Sequence, residues 1–396
     1  MPRPPRPATR RTIRKLPAFT LPPGRPPRID KRSPVRFAVV GLGYFAQAAI
    51  LPAFKRAKGA VCAALVSDDP EKLSRLGDKY GVTVRCGYGG YDELLRSGLV
   101  DAVYIALPND LHEEFTVRAA RAGIHVLCEK PMAPTSAACR RMTAACRRAG
   151  VKLMVAYRLH FEAANLTAVQ RIRDGAIGKP RFFTSRFAFQ VPKGNIRLSR
   201  ERGGGPLNDI GLYCINAARY LFQAEPTACT AAWTKGGDAR FRTVEEQASV
   251  ILEFPGRRLA SFTVSDGAFD MARYTVAGTT GALTVDNAYE FTTAIRHELS
   301  SEDGTSRRKF RKRDQVAPEL EHFAHCIRNG TDPEPSAREG TNDVLVLEAI
   351  RRAAQTGRRQ RIRATPRRRR PTLRQERRIR PHRMPKLVHA APPHES

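Results

Sequence analysis

Two stretches of the chain carry residue types whose spacing suits chemistry. In the first, Lys130 ends the apolar run Ile124-His125-Val126-Leu127-Cys128 within Glu129-Lys130-Pro131. Flanked by Gly123 and Pro131, that run predicts a buried parallel strand. Functional groups in open parallel sheets collect at the carboxyl ends of strands, so Lys130 is expected over a binding crevice. In the second, Gly41-Leu42-Gly43-Tyr44-Phe45-Ala46 follows the apolar, β-branched run 35–40 and opens a helical pattern over 45–57. In that context the first glycine permits a tight turn. The second lets a pyrophosphate approach the backbone at the helix N-terminus. Together the two stretches point to dinucleotide-dependent redox, with an ammonium beside a nicotinamide ring.

The flanking pattern supplies the elements that must hold these groups. Strand patterns over 61–66, 82–86, 102–107 and 152–156 alternate with helical patterns over 70–80, 91–97, 113–122 and 135–149. This alternation predicts a doubly wound parallel Rossmann sheet. The second strand ends at Ser67-Asp68-Asp69, near the spacing at which such folds read the ribose. Asp68 there favours a free 2′-hydroxyl, whereas Ser67 with Lys72 suits a 2′-phosphate, so NAD and NADP both stay open. Asp68 is alternatively the N-cap of helix 70–80. Asn109 and His112, at the carboxyl end of strand 102–107, either touch the cofactor or serve the loop and the following cap.

After Tyr157 the pattern changes. A helix over 163–174 precedes a segment, 180–190, carrying Phe182, Phe183, Phe187 and Phe189, and Gly203-Gly204-Gly205-Pro206 opens a helix over 207–222. Strands over 228–234, 247–254, 259–265, 274–277 and 282–285 follow without intervening helices. They predict an α/β domain with a large, mainly antiparallel open sheet. Such a sheet leaves one face for substrate or a partner subunit. Helices over 319–328 and 341–354 close the pattern. The expected organisation is a basic arm 1–34, a Rossmann domain 35–156, a substrate and oligomerisation domain 157–356, and a basic tail 357–396.

The 396 residues carry a net charge of +31. Residues 1–34 hold ten Lys/Arg against one acid and residues 357–396 hold fourteen against two, so most of the excess lies in the tails. Such blocks predict disorder. A tether to nucleic acid through phosphates is the sharper but less favoured alternative, because no aromatic interleaves the C-terminal arginines. The arm holds ten of the 29 prolines and is expected to be extended. Its Arg10-Arg11 pair is followed by a stretch too short and proline-broken for an export signal. No apolar run is long enough to span a bilayer. Eight scattered cysteines and nine unclustered histidines predict no metal and fit a reducing cytoplasm.

Taken together, residues 40–43, 107–112, 128–131, 157–160 and 203–213 resemble the glucose–fructose oxidoreductase (Gfo/Idh/MocA) family of NAD(P)-dependent sugar dehydrogenases. The resemblance spans roughly 35–357. It is nearest to glucose–fructose oxidoreductase itself and to the aldose (xylose) and dihydrodiol dehydrogenase members, which carry tyrosine at the position of Tyr213 where many others have histidine. It implies a homodimer or homotetramer, an embracing N-terminal arm and a cis bond between Lys130 and Pro131. The cofactor is implied to lie against Gly41, Leu42, Gly43, Tyr44, Phe45, Ser67, Asp68, Lys72, Leu107, Pro108, Asn109, His112, Glu129, Lys130, Arg158 and Arg197. The substrate is implied to lie against Lys130, Tyr157, His160, Asp209 and Tyr213. Lys130, Tyr213 and Asp209 are the implied catalytic set, with Tyr213 exchanging the proton and Asp209 orienting the sugar. Ser67 and Lys72 match the pair that holds a 2′-phosphate in NADP-binding relatives, and Asp68 departs from the glycine often found there.

The residue types suit that chemistry. Removing a hydride from a carbinol carbon requires its hydroxyl to lose a proton. A phenol with a pKa of about 10 is a poor base at neutral pH, and a neighbouring ammonium favours both phenolate and developing alkoxide. A Lys–Tyr pair is thus fit for alcohol–carbonyl interconversion. The alternative of another class is a non-catalytic dinucleotide-binding sensor, which has no need of all three side chains.

Overall fold

The computed structural model describes residue 30, residues 32–366 and residues 371–393. Expectations for the rest of the N-terminal arm, including its extended character and the absence of an export signal, lie outside the described residues.

The first sheet contains β1 (Val35–Val40), β2 (Ala60–Val66), β3 (Val84–Cys86), β4 (Ala102–Ile105), β5 (His125–Glu129) and β6 (Leu153–Ala156). All are parallel, in the order β3-β2-β1-β4-β5-β6. Helices cover both faces, which is why β1 and β4 are nearly continuous apolar runs. Strands are added outward in one sense up to β3 and in the opposite sense from β4, and a crevice opens between β1 and β4 beyond the strand ends. Gly41 has φ of 93°, and a Cβ on it would lie 2.5 Å from the Ala106 carbonyl oxygen. Glycine is therefore required for β1 and β4 to end side by side.

The helix Pro70–Tyr80 begins where expected, but its N-cap is Asp69, whose side chain accepts from the Lys72 backbone N–H. Asp68 instead accepts from the Tyr88 backbone N–H at 2.7 Å. With proline at the first helical position, the residue directly before it takes the capping geometry.

The second sheet has nine strands: β7 (Phe182–Ala188), β8 (Ala228–Thr234), β9 (Gln247–Phe254), β10 (Arg258–Ser265), β11 (Met271–Ala277), β12 (Gly281–Asp286), β13 (Ile295–Ser301), β14 (Gly304–Phe310) and β15 (Gln360–Arg361). Their order is β14-β13-β12-β11-β7-β10-β9-β8-β15. Every pairing is antiparallel except β7 with β10. The phenylalanine-rich segment is thus a central strand, with Phe183 and Phe187 turned into the core and Phe182 outward. Helices Ala163–Arg173, Leu212–Phe222 and Ala337–Thr356 pack against one face. The other face is open, and Phe182, Ile251, Leu259 and Met271 are each 41–48% exposed on it.

The tail departs from the expectation of disorder. Among the described residues, 371–393 run from the second domain onto the first through specific contacts. Ile379 O accepts from Asp314 N at 3.1 Å, His382 reaches the Ala48 carbonyl at 2.6 Å, and Val388 is buried. Polar groups that find fixed partners hold a segment whose composition offers little apolar surface. No helix among the described residues is long and apolar enough to cross a membrane.

Candidate active site

The crevice at the carboxyl ends of β1, β4 and β5 has a volume of about 670 Å³, a size suited to a small-molecule or cofactor site. β5 is buried until its last residue, so Glu129 and Lys130 emerge from the core at the crevice floor. The Lys130–Pro131 peptide is cis. Lys130 Nζ donates to Asp209 Oδ1 at 3.0 Å and to the Asp209 carbonyl at 2.9 Å.

Asp209 comes from the second domain, in a π-helical turn, Leu207–Gly211, that runs into the helix Leu212–Phe222. Such widened turns recur at functional sites. Four residues on, Tyr213 shares its face, and Lys130 Nζ stands 4.5 Å from the Tyr213 ring centroid. The Arg158 guanidinium lies 5.0 Å from the same ring. Phe187 and Tyr289 flank it at 5.9 and 6.0 Å. Arg197 completes the cluster by an ion pair to Asp209 Oδ2.

The electrostatics follow from burial and partner charge. Burial alone would raise the Asp209 carboxyl, but Arg197 and then Lys130 hold it far below the usual range. Asp209 is therefore a permanent carboxylate. Burial alone would lower Lys130, but Tyr213, Asp209 and Glu129 outweigh it and raise the ammonium above its ordinary value. Glu129 is pushed up by burial against the pull of Lys130, and its Oε1 accepts from the Tyr104 hydroxyl at 2.8 Å. The crevice thus holds a fixed positive charge beside a phenol, an arrangement that stabilises negative charge developing on a bound oxygen.

The glycine loop forms the adjoining wall. Gly41, Leu42, Gly43, Tyr44 and Phe45 line the crevice, with Leu107, Pro108 and Asn109 opposite and Ser67 and Lys72 at one end. A Cβ on Gly43 would meet nothing within 4 Å, so that glycine presents bare backbone to open space. Open backbone at a helix N-terminus, with Ser67 and Lys72 at hand, fits a dinucleotide phosphate chain. Asn109 Nδ2 donates to the Gly203 carbonyl at 2.9 Å, tying the glycine-rich turn to this wall.

Four expected site residues do not line the crevice. Asp68 is engaged by Tyr88 as described. His112 is fully buried, its ring nitrogens 2.9 Å from the carbonyls of Pro131 and Leu107; it braces the ends of β4 and β5. Tyr157 donates to Asp343 at 2.5 Å, and His160 contacts Asn216 at 2.7 Å and Glu334 at 3.2 Å. Buried carboxylates and amides behind β6 satisfy both side chains, which turns them away from the crevice. Conversely, Phe187, Phe189, Tyr289 and Phe291 form an aromatic wall, and His389, Ala390, Ala391 and Pro393 form a rim. The phenylalanine cluster was a visible sequence signal for the wall; nothing in the tail signalled the rim.

Comparison with known proteins places this architecture. The Rossmann model of the GFO/IDH/MocA oxidoreductases, described as an NAD-binding fold, matches residues 35–157, and the family's C-terminal domain matches 165–284. The chain belongs to the Gfo/Idh/MocA family of oxidoreductases. Among Gfo/Idh/MocA relatives, D-xylose 1-dehydrogenase [NADP(+)] of Haloarcula marismortui is 32% identical, with 82% of this chain and 92% of that protein covered. The crystal structure of aldose-aldose oxidoreductase from Caulobacter crescentus complexed with glycerol superposes with a TM-score of 0.80 at 39% identity, covering 83% and 100%. KijD10, a 3-ketoreductase from Actinomadura kijaniata solved with NADP and TDP-benzene, superposes with a TM-score of 0.74 at 28% identity, covering 81% and 98%. This Gfo/Idh/MocA chain therefore spans nearly the whole length of these three relatives.

Proposed function

We propose that the protein is an NADP-preferring dehydrogenase that oxidises a hydroxyl-bearing carbon of an aldose or related cyclic polyol. The observation that carries this reading is the Lys130–Asp209–Tyr213 cluster, assembled from both domains in the crevice that the glycine loop borders. A sugar substrate is supported by the relatives named for xylose and aldose. NADP is supported by Ser67 and Lys72 at the crevice end, while Asp68 is occupied elsewhere.

A bound nicotinamide dinucleotide supplies the acceptor for the carbon-bound hydrogen and its electron pair. Gly41–Phe45 hold its phosphates, and Ser67 and Lys72 receive the 2′-phosphate. Tyr213 takes the proton of the reacting hydroxyl in oxidation and returns it in reduction. Lys130 stays an ammonium and stabilises the oxygen as its charge develops. Both carboxylate oxygens of Asp209 are engaged, one by Lys130 and one by Arg197. Asp209 therefore positions Lys130, and its role as a direct sugar ligand is secondary. The aromatic wall of Phe187, Tyr289 and Phe291 excludes water from the reacting face. The test is formation of reduced nicotinamide with a panel of aldoses and polyols. NADP⁺ is expected to support turnover about tenfold better than NAD⁺, a difference worth one phosphate contact. Absence of reduction with every sugar and polyol would overturn the reading.

We also propose that the open sheet face pairs with a second copy of the chain, in a reducing cytoplasm that suits the eight free cysteines. Phe182 and Leu259 are cross-strand neighbours on that face, and an apolar strip of this kind marks an interface. Phe182→Asp together with Leu259→Asp is expected to halve the sedimenting mass. An unaltered mass would rule the face out.

A further inference from the structure

The C-terminal tail carries six Lys/Arg against one acid between residues 371 and 393, yet the structure anchors it with care along the glycine-loop helix. Gln47, almost fully buried, uses its amide for two purposes. Its Nε2 donates to the Leu42 carbonyl of the glycine loop at 2.9 Å and to the Val388 carbonyl at 2.8 Å. Its Oε1 accepts from the Val388 N–H at 2.8 Å. One buried side chain therefore ties the tail backbone to the loop that receives phosphates. Six residues earlier, His382 Nε2 bonds the Ala48 carbonyl. Residue 52, four positions on in that helix, is proline and has no N–H to offer that carbonyl. The tail imidazole supplies that carbonyl with a partner.

Beyond Val388 the chain turns at His389, which has φ of 44°, a conformation that non-glycine residues adopt only where surroundings impose it. The ring of His389 is held between Asp69 at 2.9 Å and Glu71 at 3.0 Å, at the start of the helix that also carries Lys72. Ala390, Ala391 and Pro393 then line the crevice together with Ser67 and Lys72. Among the described residues, the tail forms a wall and does not fill the space: Lys72 and Lys130 line one and the same crevice. A segment occupying the site in place of ligand would close that path.

We propose that residues 387–393 are a clasp that closes over the 2′-phosphate end of the bound dinucleotide and slows its release. This rests on the dinucleotide reading of the same crevice. A segment that must open before the ligand leaves acts on the dissociation rate.

The test measures release of NADPH by stopped-flow fluorescence after mixing the loaded protein with excess NADP⁺. Two variants are compared with the full chain: one ending at Lys386, and the full-length His389→Ala. The shortened chain is expected to release NADPH at least tenfold faster, and His389→Ala several-fold faster. Equal release rates in all three proteins would overturn the clasp and leave the dinucleotide site standing. Slower release from the shortened chain would overturn it too, because the tail would then obstruct binding. If the shortened chain fails to fold, His389→Ala decides alone. Failure of the intact protein to bind NADPH at all would refute the dinucleotide reading and the clasp with it.

Discussion

Lys130→Ala is expected to lower kcat by roughly 10²–10⁴ while the protein stays folded and binds dinucleotide. The loss arises because the ammonium is the positive charge nearest Tyr213 from the first domain, 4.5 Å from its ring, and an alanine leaves the developing alkoxide without it. Folding survives because Asp209 keeps its ion pair with Arg197, so no buried carboxylate is left alone. Steady-state kinetics at saturating NADP⁺ check this. KM for the sugar should change far less than kcat, the mark of an interaction made in the transition state. Turnover within a few-fold of the unaltered protein would remove Lys130 from the chemistry.

Arg219→Met is expected to cost about 3–5 kcal/mol of stability, the usual consequence of taking one partner from a buried ion cluster. Arg219 is fully buried on the helix that also carries Tyr213. It pairs with Glu225 at 2.6 Å, with Glu339 at 3.2 Å and with Asp343. Its guanidinium is held even more firmly charged than usual, since Asp343 and Glu225 outweigh burial. Methionine fills a similar volume but leaves these carboxylates facing one another in the core. Trp233, the chain's single tryptophan, lies on β8 and reports unfolding of this domain in urea. The midpoint should fall with little change in slope. A loss below about 1 kcal/mol would mean that the cluster is held by packing and not by charge.

The cluster also explains which parts of the site were legible in the sequence. Elements with strong periodicity or strong caps were readable: β1, β8 and β9 and the helix Pro70–Tyr80 fall where the pattern puts them. Lys130 was readable because an apolar strand must end at the crevice; Asp209 and Tyr213 entered through the family resemblance, and their four-residue spacing then put both on one helix face. Tyr157 and His160 sit equally close to a strand end, but spacing does not say which way a side chain turns. Asp343 and Asn216, distant in sequence, draw them inward. The hairpin β13–β14 escaped notice because β14, Gly-Thr-Ser-Arg-Arg-Lys-Phe, is exposed along nearly its whole length and carries no alternating apolar signal. The tail escaped notice because what orders it is the pairing of Val388 with Gln47 and of His382 with Ala48, contacts between residues more than three hundred positions apart. Composition registers its charge and is silent on such partners.

The most direct measurement of the central reading is isotope transfer. The unaltered protein is mixed with NADP⁺ and an aldose deuterated at the reacting carbon, and the reduced cofactor is recovered for mass spectrometry. The label should appear in the nicotinamide ring, and Lys130→Ala should slow its appearance in proportion to its loss of kcat. Reduced cofactor without the label, or label transfer at an undiminished rate in Lys130→Ala, would contradict direct sugar oxidation at the Lys130–Asp209–Tyr213 cluster.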